Sequence, residues 1–189
     1  TKNESAPTPQ PERAEIEVAD IVDRLHKVGM EELVIDDITL DESQARITIQ
    51  GIPDTPGIAA DIFEEVATSG ILVDMIIQSF DGKEGLASVS FTVPQDQYDQ
   101  ALEVAEAICK RSNCRGISNI PQVAKLSVSG TGLRSHTGVA IRTFRALANN
   151  GINVEMISTS EVRVNIVVHG EHGSKALSEL QETFQEFLR

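Results

Sequence analysis

Residues 46–80 read RITIQGIPDTPGIAADIFEEVATSGILVDMIIQSF, and residues 125–161 read KLSVSGTGLRSHTGVAIRTFRALANNGINVEMISTSE. Both stretches run from an extended segment through a Gly-rich loop into an amphipathic helical pattern. Both stop at a glycine and resume as a second extended segment. Gly51 matches Gly130. Two further residues then enter the second loop, and from there one constant separation matches Gly57 to Gly138, Ile58 to Val139, Ala59 to Ala140, Phe63 to Phe144 and Ala67 to Ala148. It also matches Gly70 to Gly151, Ile71 to Ile152, Val73 to Val154, Met75 to Met156 and Ile76 to Ile157. Matches in such number at one separation mark an internal repeat.

Each copy continues in the same way. A third extended run follows, LASVSFTV at 86–93 and VRVNIVV at 162–168, then a helical run, 95–111 and 174–188. Each unit is thus βαββα, and a βαββαβ ferredoxin-like module needs one more strand. The first copy can use RGISNI, 115–120. The second has no chain left after its helix. LVIDDITL, 33–40, upstream of the first copy and separated from it by a DES turn at 41–43, supplies the missing strand. The first module is therefore expected to be inserted into the second, an α+β fold with helices on one face of antiparallel sheets. The expected boundaries are 44–122 for the first module and 31–43 plus 123–189 for the second. Residues 1–14, proline-rich and nearly devoid of apolar side chains, are expected to be a disordered tail, and 15–30 a short helix or linker.

Composition narrows the function. The net charge of −13 over 189 residues disfavours nucleic acid and anionic membrane as partners, since both require clustered Lys and Arg. Aromatic residues make up only 4% and Trp is absent, so the cores must be built from Ile, Val, Leu and Ala. No apolar run is long enough to span a bilayer and no secretory signal is present, so a cytoplasmic location is expected. Cys109 and Cys114, spaced C-x4-C without a second pair, are expected to be reduced structural thiols; zinc and a disulfide are the alternatives.

The repeated loops, GIPDTPGIAA at 51–60 and GTGLRSHTGVAI at 130–141, each join a strand to a helix start. A helix start offers unpaired amide N–H groups and a partial positive charge, which together suit a carboxylate. Gly57 and Gly138 would let a ligand approach the backbone, and Asp54 could receive an ammonium group. A free amino acid carries both charges. The competing reading is that these glycines and prolines only make tight turns.

Other chemistry finds little support. GTGLRS begins like a dinucleotide fingerprint but lacks its last glycine. His169 and His172 in HGEHG read as a solvated turn more readily than as a metal pair, and His136 has no nucleophile and third partner in recognisable order. No cofactor and no metal site are expected.

The strings GIPDTPGIAADIF, VDMIIQ and GINVEMISTSE, in this order and spacing, resemble the C-terminal regulatory region of aspartate kinases over roughly residues 30–189; ISTSE at 157–161 is the most specific of them. The resemblance implies two ACT modules, the first nested in the second, and no catalytic residue in this chain. It implies pairing of two chains so that their sheets meet, with threonine and/or lysine as effector at the junctions. By motif, Asp54 would hold the effector's ammonium group, the backbone of Gly57, Ile58 and Ala59 its carboxylate, and Gln78 would read its side chain. Asn153 and Val154 would face this pocket from the other module. A second pocket would use Arg134, Ser135, His136, Thr137, Gly138, Val139 and Ala140 with Thr159, faced by Leu72, Val73 and Asp74, and Asp74 could favour a lysine side chain. The catalytic half of that family, an aspartate-phosphorylating kinase domain, is absent here. The implied partner is therefore an aspartate kinase catalytic domain or α subunit, and the chain reads as a regulatory β subunit or as an excised regulatory domain. Two rivals remain: a stand-alone amino-acid-binding ACT protein serving another enzyme or a transcription factor, and a small enzyme of ferredoxin-like fold.

Overall fold

The structure, a computed structural model, describes residues 33–81, 85–133 and 137–189. The expected tail and the helix within 15–30 lie outside the described residues. The elements run β1 (Val34–Pro53), α1 (Ile58–Thr68), β2 (Ile76–Asp81), β3 (Leu86–Pro94), α2 (Tyr98–Ser112), β4 (Gly116–Thr131), α3 (Thr137–Asn149), β5 (Val154–Thr159), β6 (Arg163–His169) and α4 (Gly173–Thr183). All six strands form one antiparallel sheet, ordered β2-β3-β1-β4-β6-β5.

Two long central strands create the nested arrangement. The first part of β1 pairs with the second part of β4, from Val34↔Thr131 to Asp41↔Lys125. The second part of β1 pairs with β3, from Gln44↔Pro94 to Pro53↔Leu86, and with the start of β4, from Arg46↔Ile120 to Gln50↔Gly116. Chain upstream of the first module thus completes the sheet of the second, giving two ferredoxin-like βαββαβ modules with the first inserted into the second.

The expected DES turn is corrected by this structure: the chain does not reverse at 41–43 but continues as one strand. Asp41 does make the local bonds of a turn, its Oδ1 accepting from the Ser43 amide at 2.9 Å and the Ser43 hydroxyl at 2.6 Å. These bonds accompany a bulge, with register shifts between Asp41 and Gln44 and between Gln44 and Arg46. On the facing strand β4, the ladder omits Pro121, which has no N–H to give, and Gln122.

Alternation along the strands sends one set of side chains toward the helices. In the first module Ile47, Ile49, Val89 and Phe91 bury against Ile62 and Val66 of α1 and Ala105 and Ile108 of α2. In the second, Leu126, Val128, Ile166 and Val168 bury against Val139 and Leu147 of α3 and Leu180 of α4. Each such aliphatic side chain contributes about 1.5–3 kcal/mol on burial. Salt bridges tie the helix layers, Arg111 to Glu65 at 2.5 Å and Arg142 to Glu186 at 2.8 Å. A third, smaller cluster lies apart from these two: Met75, Val123, Met156 and Val167, with Ile77 and Ile120 packed against it. The strand register places Met156 beside Val167 and Ile77 beside Ser90, on the sheet face away from the helices.

Helix α2 ends at Asn113 in the left-handed conformation (φ 53°), and the Cys114 amide donates to the Cys109 carbonyl at 3.0 Å. This turn brings the two cysteine Cα atoms to 4.9 Å, and the sulfurs are joined as a disulfide. The expectation of reduced thiols is thereby corrected, because the left-handed turn at Asn113 folds the chain back and brings Cys114 to Cys109.

Candidate functional site: the loop at the start of the first helix

Strand β1 ends at Pro53, and the chain turns out of the sheet. The Asp54 amide donates to the Gly85 carbonyl at 2.8 Å, anchoring the loop to the β2–β3 turn. Gly57 then adopts φ +100° at the N-cap of α1, where an L side chain would be strained. The Gly57 carbonyl accepts from Asp61 at 3.0 Å to open the helix, and the Ile58 amide is already occupied by Thr55 at 3.2 Å. The amides with no helical acceptor are therefore those of Ala59 and Ala60. Ala60 was not singled out by the repeat, which marks matched residue types and not the direction of an N–H.

Across from this helix start runs edge strand β2. Its Gln78 side-chain amide donates to Asp54 Oδ1 at 3.5 Å. The two candidate residues furthest apart in the first set are thus adjacent in space, and both are exposed. Ile76 and Phe80 flank Gln78 on the same side of β2, at 53% and 61% exposure. The loop thus joins a carboxylate, a side-chain amide, open backbone N–H groups and an apolar surround.

The remaining candidates are distributed as follows. Asn153 and Val154 lead into β5, the edge strand at the other end of the sheet order from β2. In the second loop Arg134, Ser135 and His136 lie outside the described residues. Thr137 opens α3, Gly138 and Val139 are buried, Ala140 is half-buried, and Thr159 ends β5 exposed. Leu72 is 68% exposed, and its amide donates to the Gln97 side chain at 2.9 Å; Val73 is half-buried. Asp74 has an internal partner that the repeat does not announce, the ammonium group of Lys125 on β4. His169 ends β6 and His172 ends the 3-10 turn Gly170–His172 that follows, both against Glu171. Among the described residues no group of three or more His, Cys, Asp or Glu side chains could hold a metal ion, and no helix is long and apolar enough to cross a membrane.

Comparison with known proteins accords with this architecture. The ACT domain family model matches twice, over residues 47–107 and 126–184. An aspartate kinase of Stutzerimonas stutzeri is 37% identical over 157 residues, which cover 83% of this chain and 38% of that protein. The chain therefore spans about two fifths of the length of such relatives. The regulatory subunit of aspartate kinase from Thermus flavus superimposes with a TM-score of 0.74 at 38% identity, over 80% of this chain and 99% of that one. A chain in the crystal structure of aspartokinase alpha and beta subunits gives a TM-score of 0.73 at 40% identity, again over 80% and 99%. Matching regulatory chains from end to end and whole kinases only in part, the chain belongs to the aspartate kinase family as its ACT-domain regulatory part.

Proposed function

We propose that this chain senses free threonine and/or lysine and restrains an aspartate kinase catalytic domain or subunit by feedback. The observation that carries the reading is the Asp54–Gln78 contact beside the open amides of α1. A zwitterionic amino acid offers a carboxylate to those amides, an ammonium group to Asp54 and a side chain to Gln78. The pseudo-equivalent place in the second module has Thr159 where the first has Gln78, so the two loops need not select the same effector.

A second copy of the chain completes the pocket in this proposal. Ile76 and Phe80 on edge strand β2, with Leu72 ahead of it, leave exposed apolar surface, a combination that a partner commonly covers. Asn153 and Val154 of the partner subunit would then face the first loop. An effector bridging two chains biases their arrangement by its differential affinity for the two states, typically 1–3 kcal/mol.

Titration calorimetry with threonine and with lysine tests the reading. At least one is expected to bind, and Asp54→Ala is expected to weaken it about tenfold or more, equivalent to ~1.4 kcal/mol. Unchanged affinity in that variant would remove Asp54 from the site. Co-purification with an aspartate kinase catalytic chain separates this reading from that of a regulator serving another enzyme.

A further inference from the structure

On the sheet face away from the helices, the two modules meet along a seam around Met75 and Met156. The repeat makes this seam nearly twofold. Asp74 of the first copy corresponds to Glu155 of the second, and Arg46 to Lys125. Each acid meets the base of the other copy: Asp74 pairs with Lys125, and Glu155 lies 3.8 Å from Arg46.

Around these two pairs the symmetry fails. On the Arg46 side the space is filled. The Arg46 side chain is 12% exposed, its guanidinium donates to the Thr48 and Ser118 hydroxyls at 3.1 Å each, and Thr48 is bonded in turn to Ser90 at 2.9 Å. On the Lys125 side the modules leave a cavity of about 210 Å³, lined by Asp74, Lys125, Ser127, Ser158, Arg163 and Asn165 among others. Ladder register identifies the counterparts of the last three in the first copy. Where the second copy has Arg163, Asn165 and Ser158, the first has Ser88, Ser90 and Ile77. Only the second copy lines this position with long hydrogen-bond donors.

The donors are set for an anion. Ser127 donates to Asn165 Oδ1 at 2.8 Å, which leaves the Asn165 N–H groups to donate elsewhere. The Lys125 ammonium is balanced by Asp74 and by Asp41 at 3.7 Å. The Arg163 guanidinium has no ion-pair partner among the described residues, and it brings a planar fork of donors suited to carboxylate and phosphate oxygens. Lys125 and Arg163 together balance Asp74 and Asp41, and Arg163, exposed at the start of β6, is the member of this cluster without an ion pair among the described residues.

We propose that this seam cavity binds a small oxyanion, of carboxylate or phosphate type, held by Arg163, Asn165 and Ser158. Such a ligand would span the junction between β5 and the entry to β2. These are the strands that carry Thr159 and Gln78, so occupancy would stiffen the seam behind both loops. The site lies on the opposite face of the sheet from the helix-start loops and does not depend on them.

The test is an NMR titration of the full chain with inorganic phosphate and, separately, with succinate. Saturable shifts are expected at the amides of Ser127, Ser158 and Asn165. Arg163→Gln is expected to lower the affinity about tenfold or more, and Asn165→Asp, which places a negative charge in the cavity, to abolish binding. Asp54→Ala is expected to leave it unchanged, so failure here is distinguishable from failure of the effector site. The tighter of the two probes identifies the oxyanion class. Absence of saturable shifts with both probes, or equal affinity in Arg163→Gln, would show a solvent-filled seam and overturn the proposal.

Discussion

The carboxylate of Asp74 meets the ammonium group of Lys125 across the seam between the two modules. Its repeat counterpart, Glu155, faces Arg46 in the same exchanged sense, so each module clamps the other through an acid at the start of its second strand, Asp74 just before β2 and Glu155 within β5. The two clamps differ in burial. Side-chain exposures are 43% for Asp74 and 18% for Lys125, against 23% for Glu155 and 12% for Arg46. Water can rehydrate Asp74 when Lys125 is lost, so Lys125→Ala is expected to cost about 1 kcal/mol or less. Arg46→Ala removes a packed stem and two hydroxyl contacts and leaves Glu155 alone, for about 2–3 kcal/mol. Its Nε is already buried without a hydrogen-bond partner, so the arginine is not ideally satisfied. The double replacement Arg46→Met with Glu155→Leu is therefore expected to recover most of the loss. Urea unfolding of the three variants checks the ranking, and a double variant as unstable as Arg46→Ala would remove the charge argument.

The second prediction separates two glycines that the repeat alone treats alike. A Cβ at Gly130 would stand 2.1 Å from the Val34 carbonyl oxygen, which is backbone and cannot swing away. Gly57 faces open space, and only its φ of +100° resists a side chain. Gly130→Ala is expected to destabilise by about 2–4 kcal/mol, because it forces apart the donated strand and its neighbour. Gly57→Ala is expected to cost about 1 kcal/mol of backbone strain and to shift the helix-start amides. Calorimetric melting compares them directly; equal losses would mean that the strand contact is more yielding than its geometry indicates.

What the sequence revealed, and what it concealed, follows from the range of the interactions. The matched glycines and apolar positions repeat locally, so they exposed the two modules, the donated strand and both helix-side cores. The glycine loop was legible as a candidate site, since each copy repeats it, whereas Asp54 has no repeat match and Gln78 entered through the family resemblance. The continuity of β1 was not, because Asp41–Ser43 carries turn chemistry and only the long-range pairing with β4 keeps the chain extended. The seam was hidden for the same reason. Nothing near Arg46 in sequence signals Glu155, and Met75 and Met156 meet only after the sheet is built. The disulfide depended on the turn at Asn113, whose left-handed conformation is not encoded by cysteine spacing.

Acid should weaken the hinge of β1. Burial alone would raise the Asp41 carboxyl, but hydrogen bonds from the Ser43 side chain and amide, together with Lys125, outweigh it and hold that group below the ordinary aspartate value. The folded value is thus lower than the unfolded one, about 3.9. The resulting stabilisation is complete above the unfolded value and is lost as pH falls through the folded one. Asp41→Asn is expected to lose this stabilisation near neutrality and so to flatten the acid side of the stability curve, the two proteins converging at low pH. Urea midpoints followed downward from pH 6 would show it, and an unaltered acid slope in the variant would remove Asp41 from the account.

The exposed strip on β2 leads to a prediction that joins assembly to sensing. Phe80 is 61% exposed and Ile76 53%, on an edge strand whose outer N–H and C=O groups have no sheet neighbour among the described residues. If a second copy covers this edge, Phe80→Asp places a charge in the interface and should raise the dimer dissociation constant about tenfold or more, equivalent to ~1.4 kcal/mol. The substitution leaves the core intact, since Phe80 is not among the buried residues, so melting should change little at high protein concentration. Effector affinity should fall in parallel even though Asp54 and Gln78 are untouched, because the facing residues arrive only with the partner subunit. Sedimentation equilibrium and calorimetry on the same samples decide the matter. Loss of the dimer with full effector affinity would mean that each pocket is complete within one chain. An unchanged dimer would direct the search for the interface to another surface.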